Sequence, residues 1–312
     1  MANDYKKELV AAIEHRCGPV TRLAGSQSLI QTANGMRIYL RYSKLHGKGV
    51  AFYGLRQVDL NTLDGHHSYI CFFTDKEPPL FVPYSDFEAV IRQSPLASDG
   101  QFKAQITYGS PMGDLYLPKV GHFNVDAYGG LEALSLQDDK GASTAASHLS
   151  HWQAQTLLCG IGILKGYSVY VPPNNIETLD WSLTRRFQPI GSLPAHVTDR
   201  TRFASEIDVI WVDHKHDAIA AAFEVEHSTP VYSGLLRFND VLLTCPGANR
   251  FFVVSNDSRR DLFVRQLQRP TFQRSGLSEV ASFLDYANVF DWHRRLSEGS
   301  LAAAVKDGLQ PE

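Results

Sequence analysis

Two periodicities of apolar residues alternate along this chain, and the change in their order divides it. The opening stretch, MANDYKKELVAAIEHRCG, carries apolar positions at helical spacing with charges throughout and predicts an amphipathic helix. Short apolar runs follow, predicting strands over Arg37–Tyr42, Val50–Gly54, Ser68–Phe73, Leu80–Val82 and Phe102–Thr107. Turn formers such as HGKG (46–49) and DGHH (64–67) separate them. Ser85 with Glu88 three residues on is a capping-box pattern, predicting a helix over Ser85–Gln93. This half is α+β. The polar SLQDDKGAST (135–144) is the linker candidate, and the sequence holds no internal repeat or low-complexity tract.

Beyond the linker the order changes. Ala145–Lys165 has apolar residues at helical spacing (Leu149, Trp152, Leu157, Ile161, Leu164) and stops at Gly166. A strand is predicted over Tyr167–Val171 and, after a polar connection (172–204), another over Glu206–Val212. The turn DHKHD (213–217) brings the chain back through a strand over Ile219–His227. Pro230 then opens a helix over Val231–Leu243, and Arg250–Ser255 reads as a buried strand. The predicted order is helix, strand, strand, strand, helix, strand.

Composition narrows the class. At 312 residues, 44% apolar and 20% charged, the chain has room for two folded domains and is neither disordered nor collagen-like. Lys plus Arg is 30 against 33 for Asp plus Glu, so the net charge of −3 exerts no global pull on nucleic acid or membrane. Any basic footprint is local. No run reaches the roughly 18 apolar residues of a membrane span. The charged opening helix argues against a cleaved signal peptide, which leads us to expect a cytoplasmic protein. Cys17, Cys71, Cys159 and Cys245 stand far apart with no CxxC pair, which excludes a disulfide scaffold and a metal knuckle.

Three acids fall on the predicted hairpin of the second half. Asp208 is placed on its first strand, with Glu224 and Glu226 on its second. Strand side chains alternate, so Glu224 and Glu226 point the same way, about 6.6 Å apart along the strand. Antiparallel pairing can bring Asp208 beside them. An E-x-E pair by itself is an ordinary solvated hairpin face. Here the flanks IAAAF, Ile207, Val209 and Trp211 are apolar, which implies a central hairpin where three carboxylates are costly without a cation. Hard oxygen ligands of this type suit Mg²⁺ or Mn²⁺ rather than zinc. An ion so held would bind a scissile phosphate and activate water.

The arrangement IDVIWVD…IAAAFEVEHSTPVYSGLLRFNDVLL resembles the PD-(D/E)xK nucleases, the restriction-endonuclease-like superfamily, over roughly residues 145–295. The stretch EVEHSTPVYSGLLR is similar to one found in predicted restriction endonucleases. The resemblance matches Asp208 to the acid of the second core strand and Glu224 and Glu226 to the paired positions of the third, with Val225 between them. It implies Mg²⁺ held by the acids and hydrolysis of a phosphodiester by water. Two positions depart from the pattern: Glu226 stands where the family usually has Lys, and Ile207 where it has Pro. The implied fold class is α/β, a C-terminal restriction-endonuclease-like core (a mixed central sheet flanked by helices) with an N-terminal α+β domain.

Auxiliary residues follow from position. Glu206, on the face of Asp208, is a further ligand or a salt-bridge partner. Gln155 and His151 lie on the first core helix, from which the family often sends a polar residue to the site. His227 is placed to assist water or phosphate, or to serve the structure alone. Tyr232, Ser233 and Arg237 begin the helix after the acids, whose N-terminal amides favour an anion, so Arg237 is either a DNA-phosphate contact or a surface or salt-bridge residue. Arg259, Arg260, Arg265, Arg269 and Arg274 fall close together with one acid, Asp261, and are either phosphate contacts or a solvated face. His214 and His216 in the hairpin turn, with His227, raise a zinc hydrolase as a distant alternative. The first half has no recognisable DNA-reading motif, and its aromatic loops GHHSY (65–69) and SDGQFK (98–103) either stack on an extruded base or belong to the core.

The sequence thus leads us to expect a Mg²⁺-dependent restriction-type endonuclease acting on double-stranded DNA as a homodimer. Residues 1–138 would select the site, modified DNA being one option, and residues 145–312 would cut. The rival expectations are a repair or RNA-processing nuclease, and a degenerate nuclease core that binds nucleic acid without cutting.

Overall fold

The computed structural model describes residues 2–23, 25–109, 113–134, 149–227 and 230–298. The chain divides into two compact units, with the change between residues 134 and 149. The linker candidate SLQDDKGAST and the first residues of the helix predicted over Ala145–Lys165 lie outside the described residues.

In chain order the first unit runs α1 (Ala2–Cys17), β1 (Val20–Arg22), β2 (Leu29–Thr32), β3 (Arg37–Tyr42), β4 (Val50–Arg56) and α2 (Gln57–Leu63). It continues through β5 (Ser68–Phe73), β6 (Leu80–Pro83), α3 (Tyr84–Ile91), β7 (Gln101–Thr107), β8 (Asp114–Leu117) and β9 (Gly121–Asn124). Two sheets result, of order β1-β2-β3-β5-β6 and β4-β7-β8-β9. The all-apolar look of SYICFF is explained by β5, every residue of which is buried between two core clusters. Burial in β7 alternates strictly, so the four-stranded sheet has one face on the core and the other in solvent. The five expected strands are present. The short β1, β2, β8 and β9 and the helix α2 carried too little periodicity to be predicted.

The expected capping box is corrected by the structure. Pro83 occupies the N-cap of α3, Ser85 lies inside the helix with its Oγ on Asp86 Oδ1 at 3.2 Å, and Glu88 is buried near Arg92. The fixed φ of Pro83 starts this helix, not a side-chain cap. Of the aromatic loops, Tyr69 and Phe102 are core residues.

The second unit runs α4 (His151–Leu164), β10 (Ser168–Tyr170), α5 (Ala195–Thr198), β11 (Val209–Asp213), β12 (Ala218–Val225), α6 (Val231–Thr244) and β13 (Phe251–Ser255). After these come α7 (Arg260–Leu267), α8 (Pro270–Ser275), α9 (Leu277–Val280), β14 (Ala281–Asp285) and α10 (Tyr286–Glu298). Its single sheet has the order β10-β11-β12-β13-β14, with β12 central. β12 pairs antiparallel with β11 and parallel with β13, and β13 with β14 is parallel too. This is a mixed α/β sheet flanked by helices, the fold class expected. Alternate residues feed two cores: Ile210, Ala222 and Val253 join α6 on one face, while Trp211, Phe223 and Val254 join α4 and α10 on the other.

Helix α4 is buried around its whole circumference over Ala154–Gly162, so a single apolar face was the wrong frame for it. Trp152 and Leu164, assigned to that face, are exposed near its two ends. Its glycines allow close approach: a Cβ on Gly162 would stand 2.5 Å from Trp211 Nε1. Trp211 is fully buried, donates Nε1–H to Leu158 O at 3.0 Å, and packs on Tyr167, Phe223 and Trp292. Trp211→Ala is therefore expected to destabilise the second unit by about 3–5 kcal/mol. Denaturant unfolding followed by tryptophan fluorescence measures it, and a loss below about 1 kcal/mol would contradict this packing.

Candidate active site

Strand β12 ends inside the protein rather than at a surface turn, and the candidate site is built at that end. The last antiparallel pair is Val209 with Phe223. Beyond it the backbone of β11 has not yet begun: Asp208 lies one residue before the strand, not on it as the sequence predicted. Its carboxylate continues the ladder in place of a carbonyl. Asp208 Oδ2 accepts the Val225 N–H at 2.8 Å, the amide of the residue between Glu224 and Glu226. Two groups from α4 hold Asp208 from the other side. Gln155 donates Nε2–H to the Asp208 carbonyl at 2.7 Å, and His151 Nε2 is 3.6 Å from Asp208 Oδ1. Burial lowers the His151 pKa, but the Asp208 contact outweighs it and leaves the imidazole above its ordinary range.

Glu224 is 1% exposed and Glu226 2% exposed, so neither belongs to a solvated hairpin face. Glu226 falls just past the end of β12, its N–H on Val254 O at 2.8 Å and its carbonyl accepting from Ser255 Oγ and Arg259 Nη1. Both glutamates turn toward α6. A Cβ on Gly234 would come within 2.8 Å of Glu226 Oε1 and 3.1 Å of Glu224 Cβ, so only the absence of a side chain there lets the helix lie so close. Arg237, three residues on and hence on the same helix face, then reaches Glu224 with both arms. Nε to Oε1 is 2.6 Å and Nη2 to Oε2 is 2.7 Å, a bidentate pair. Burial pushes the Glu224 carboxyl up to about 8, with Arg237 opposing and Asp208 and Glu226 adding to the rise. The same contact holds Arg237 above its usual range.

The other predicted residues divide. Glu206 ends a 3-10 turn (Arg202–Glu206) and is exposed, so the strand alternation that placed it beside Asp208 does not apply. His227 sits 3.3 Å from Tyr286 Oη at the rim. Arg237 is turned inward onto Glu224 rather than outward to a phosphate. Arg259 donates to the carbonyls of Glu226 and His227 and so tethers the segment after β12. Arg260 is held by Asp257 and Asp285, whereas Arg265 is exposed on α7. His214 and His216 contact Ser168 and Asp213. Sequence reasoning missed Gly234, and it left Arg237 open between phosphate contact and salt bridge without naming Glu224 as its partner; the three-residue spacing of this pair on the helix after E-x-E was the available signal.

A family model for the C-terminal domain of the type II restriction enzyme NmeDI matches residues 134–309, more than half of the chain. The chain belongs to this family. It is an endonuclease of the restriction type, and DNA is its substrate. No curated protein and no solved structure matches the chain. No helix among the described residues is long and apolar enough to cross a membrane.

Restriction enzymes of this kind typically use a metal. Asp208, Glu224 and Glu226 supply hard oxygen donors of the type Mg²⁺ takes. Their arrangement already holds a cation, because the Arg237 guanidinium occupies both oxygens of Glu224. Among the described residues no group of three or more His, Cys, Asp or Glu stands ready to hold a metal. The donor set matches a divalent ion in chemistry, while Glu224 is engaged by Arg237.

Two outcomes follow. Arg237→Ala leaves Glu224 buried without its guanidinium and is expected to cost about 3–5 kcal/mol. Added Mg²⁺ should recover part of the lost melting temperature, with a smaller shift in wild type; a variant melting like wild type would refute the pairing. Gly234→Ala drives a methyl group against both glutamates and should cost about 1–3 kcal/mol, read by the same melting experiment.

Proposed function

We propose that this restriction endonuclease is a member of the PD-(D/E)xK superfamily, Mg²⁺-dependent with Mn²⁺ as a substitute, and that its second unit hydrolyses the phosphodiester. The observation that carries the reading is the convergence of Asp208, Glu224 and Glu226 at the buried end of the central strand. Asp208 is bonded there to the amide between the two glutamates. Asp208 and Glu224 are the residues that would hold the ion, with Glu226 on the metal or on the attacking water. When bound, it neutralises charge on the scissile phosphate and lowers the pKa of a water.

The remaining roles belong to the chain. Gln155 fixes the backbone of Asp208, and His151 faces the free carboxylate oxygen, so Asp208 enters the reaction already oriented. Glu226 stands where the superfamily usually has Lys and acts as the general base that takes the proton of the attacking water. Arg237 holds Glu224 before substrate arrives, and a phosphate is the kind of anion that competes for its fork. The first unit selects the target, modified DNA being one option, and Arg265 contributes to a local phosphate footprint. One site cuts one strand, so duplex cleavage calls for a homodimer or two binding events. The protein acts in the cytoplasm.

The test is incubation of the chain with Mg²⁺ and a mixed panel of methylated and unmethylated plasmids, followed by sequencing of the ends. Metal-dependent cutting at recurring positions is expected, lost by at least a thousandfold (roughly 4 kcal/mol of transition-state stabilisation) in Asp208→Ala and Glu224→Ala with DNA affinity retained. Cutting that persists in both variants, or a wild type that binds DNA and never cuts with Mg²⁺ or Mn²⁺, would overturn the assignment.

A further inference from the structure

The solvent face of the four-stranded sheet in the first unit is built from residues that the nuclease site does not use. Pairing places Phe52 of β4, Gln105 of β7, Tyr116 of β8 and His122 of β9 in one row across all four strands. Phe52 is 56% exposed, an unusual position for a phenylalanine. Each aromatic wall is braced from behind by a histidine. His46 meets Phe52 edge-on at 5.7 Å, and His122 lies over Tyr116 at 4.7 Å while its Nδ1 is 2.7 Å from Asp114 Oδ2. Between the walls is a cavity of about 370 Å³, lined by Phe52, Gly54, Lys103, Gln105, Tyr116 and Pro118. That volume is at the small end of the range for small-ligand sites, roughly 300–1,000 Å³.

The middle of the row is polar, occupied by Gln105. Two residues along β4, Gly54 has no side chain, and the Gln101 carboxamide and Lys103 Nζ lean over it, 2.1 and 3.7 Å from where a Cβ would stand. Phe52 and Tyr116 are two strand spacings apart, about 10 Å at the backbone, with the Gln105 carboxamide between them. A slot with aromatic walls, the Gln105 carboxamide on its floor and the Lys103 ammonium in its lining has the chemistry of a nucleobase site. Rings stack on the base, the carboxamide bonds its edge, and Lys103 meets the adjoining phosphate. The Lys103 partner, Asp99, is an exposed carboxylate, and such surface pairs are readily exchanged.

We propose that this face binds an unstacked nucleobase of the DNA substrate between Phe52 and Tyr116, with Gln105 reading its edge. The proposal rests on the reading that the first unit engages DNA; it adds the place and the chemistry. Its occupant is the substrate class this enzyme family already handles, which favours DNA over an unrelated ligand.

The experiment measures binding of the full chain, without divalent metal, to labelled random-sequence single strands, whose bases need no extrusion. Phe52→Ala and Tyr116→Ala are each expected to weaken binding about tenfold or more, since a stacked base is worth about 1–3 kcal/mol. Phe52→Trp, which keeps a ring, should bind within about twofold of wild type (under about 0.5 kcal/mol). Equal affinity in wild type, Phe52→Ala and Tyr116→Ala overturns the slot, as does loss of affinity that Phe52→Trp fails to restore. Tight binding of free deoxynucleosides with unchanged DNA affinity would assign the slot to a small effector and also overturn it. The plasmid assay separates the two readings: metal-dependent cutting by Phe52→Ala with unaltered affinity sinks the slot and leaves the nuclease centre standing. A wild type that never cuts removes the nuclease centre, while the binding titration still decides the slot.

Discussion

Like charges buried at one strand end repel, and folding around them requires each carboxylate to be given a partner. The second unit does this in three ways. Asp208 takes a backbone amide from the central strand, Glu224 takes a guanidinium, and Glu226 is fixed through its own backbone by β13 and Arg259. In a low-dielectric setting the three acids make a concentrated negative site, with the Arg237 guanidinium as the cation on Glu224.

The surrounding fold supplies the precision. A fully buried α4 delivers Gln155 and His151 to Asp208, and a glycine on α6 lets a second helix approach the glutamates closely enough for Arg237 to reach. The site lies at the carboxyl ends of the parallel strands β12 and β13, where open α/β sheets leave room for ligands. Both helices rest on apolar cores, one on each face of the sheet, so the polar cluster is held by packing that is itself rigid.

Partnering Glu224 with Arg237 has a consequence for specificity of action. Under the proposed reading, the Arg237 guanidinium on Glu224 would disfavour metal loading before substrate arrives, and a phosphate would compete for its fork. In the first unit the polar and aromatic residues of a solvated sheet face carry the proposed second chemistry, directed at a base and its adjoining phosphate.

Much of this was legible in the chain itself, because strands buried on one or both faces write their periodicity into local sequence. The strands β3, β4, β5, β6, β7, β12 and β13, the helix α6 and the E-x-E pair were all readable there. Short elements such as β1, β8 and β9, and the closing β14 and α10, were not, since few residues and tertiary pairing define them. The spacing of Ser85 and Glu88 suggested a cap, but a proline one residue before the helix set its start. Glu206 looked equivalent to Asp208 because alternation was assumed to extend through both, whereas the strand begins only at Val209. Local pattern therefore determined which residues carry charge and which strands hold them. Tertiary structure alone decided that Arg237 faces inward and that Asp208 caps the Val225 amide, because both depend on how closely elements far apart in sequence come to rest.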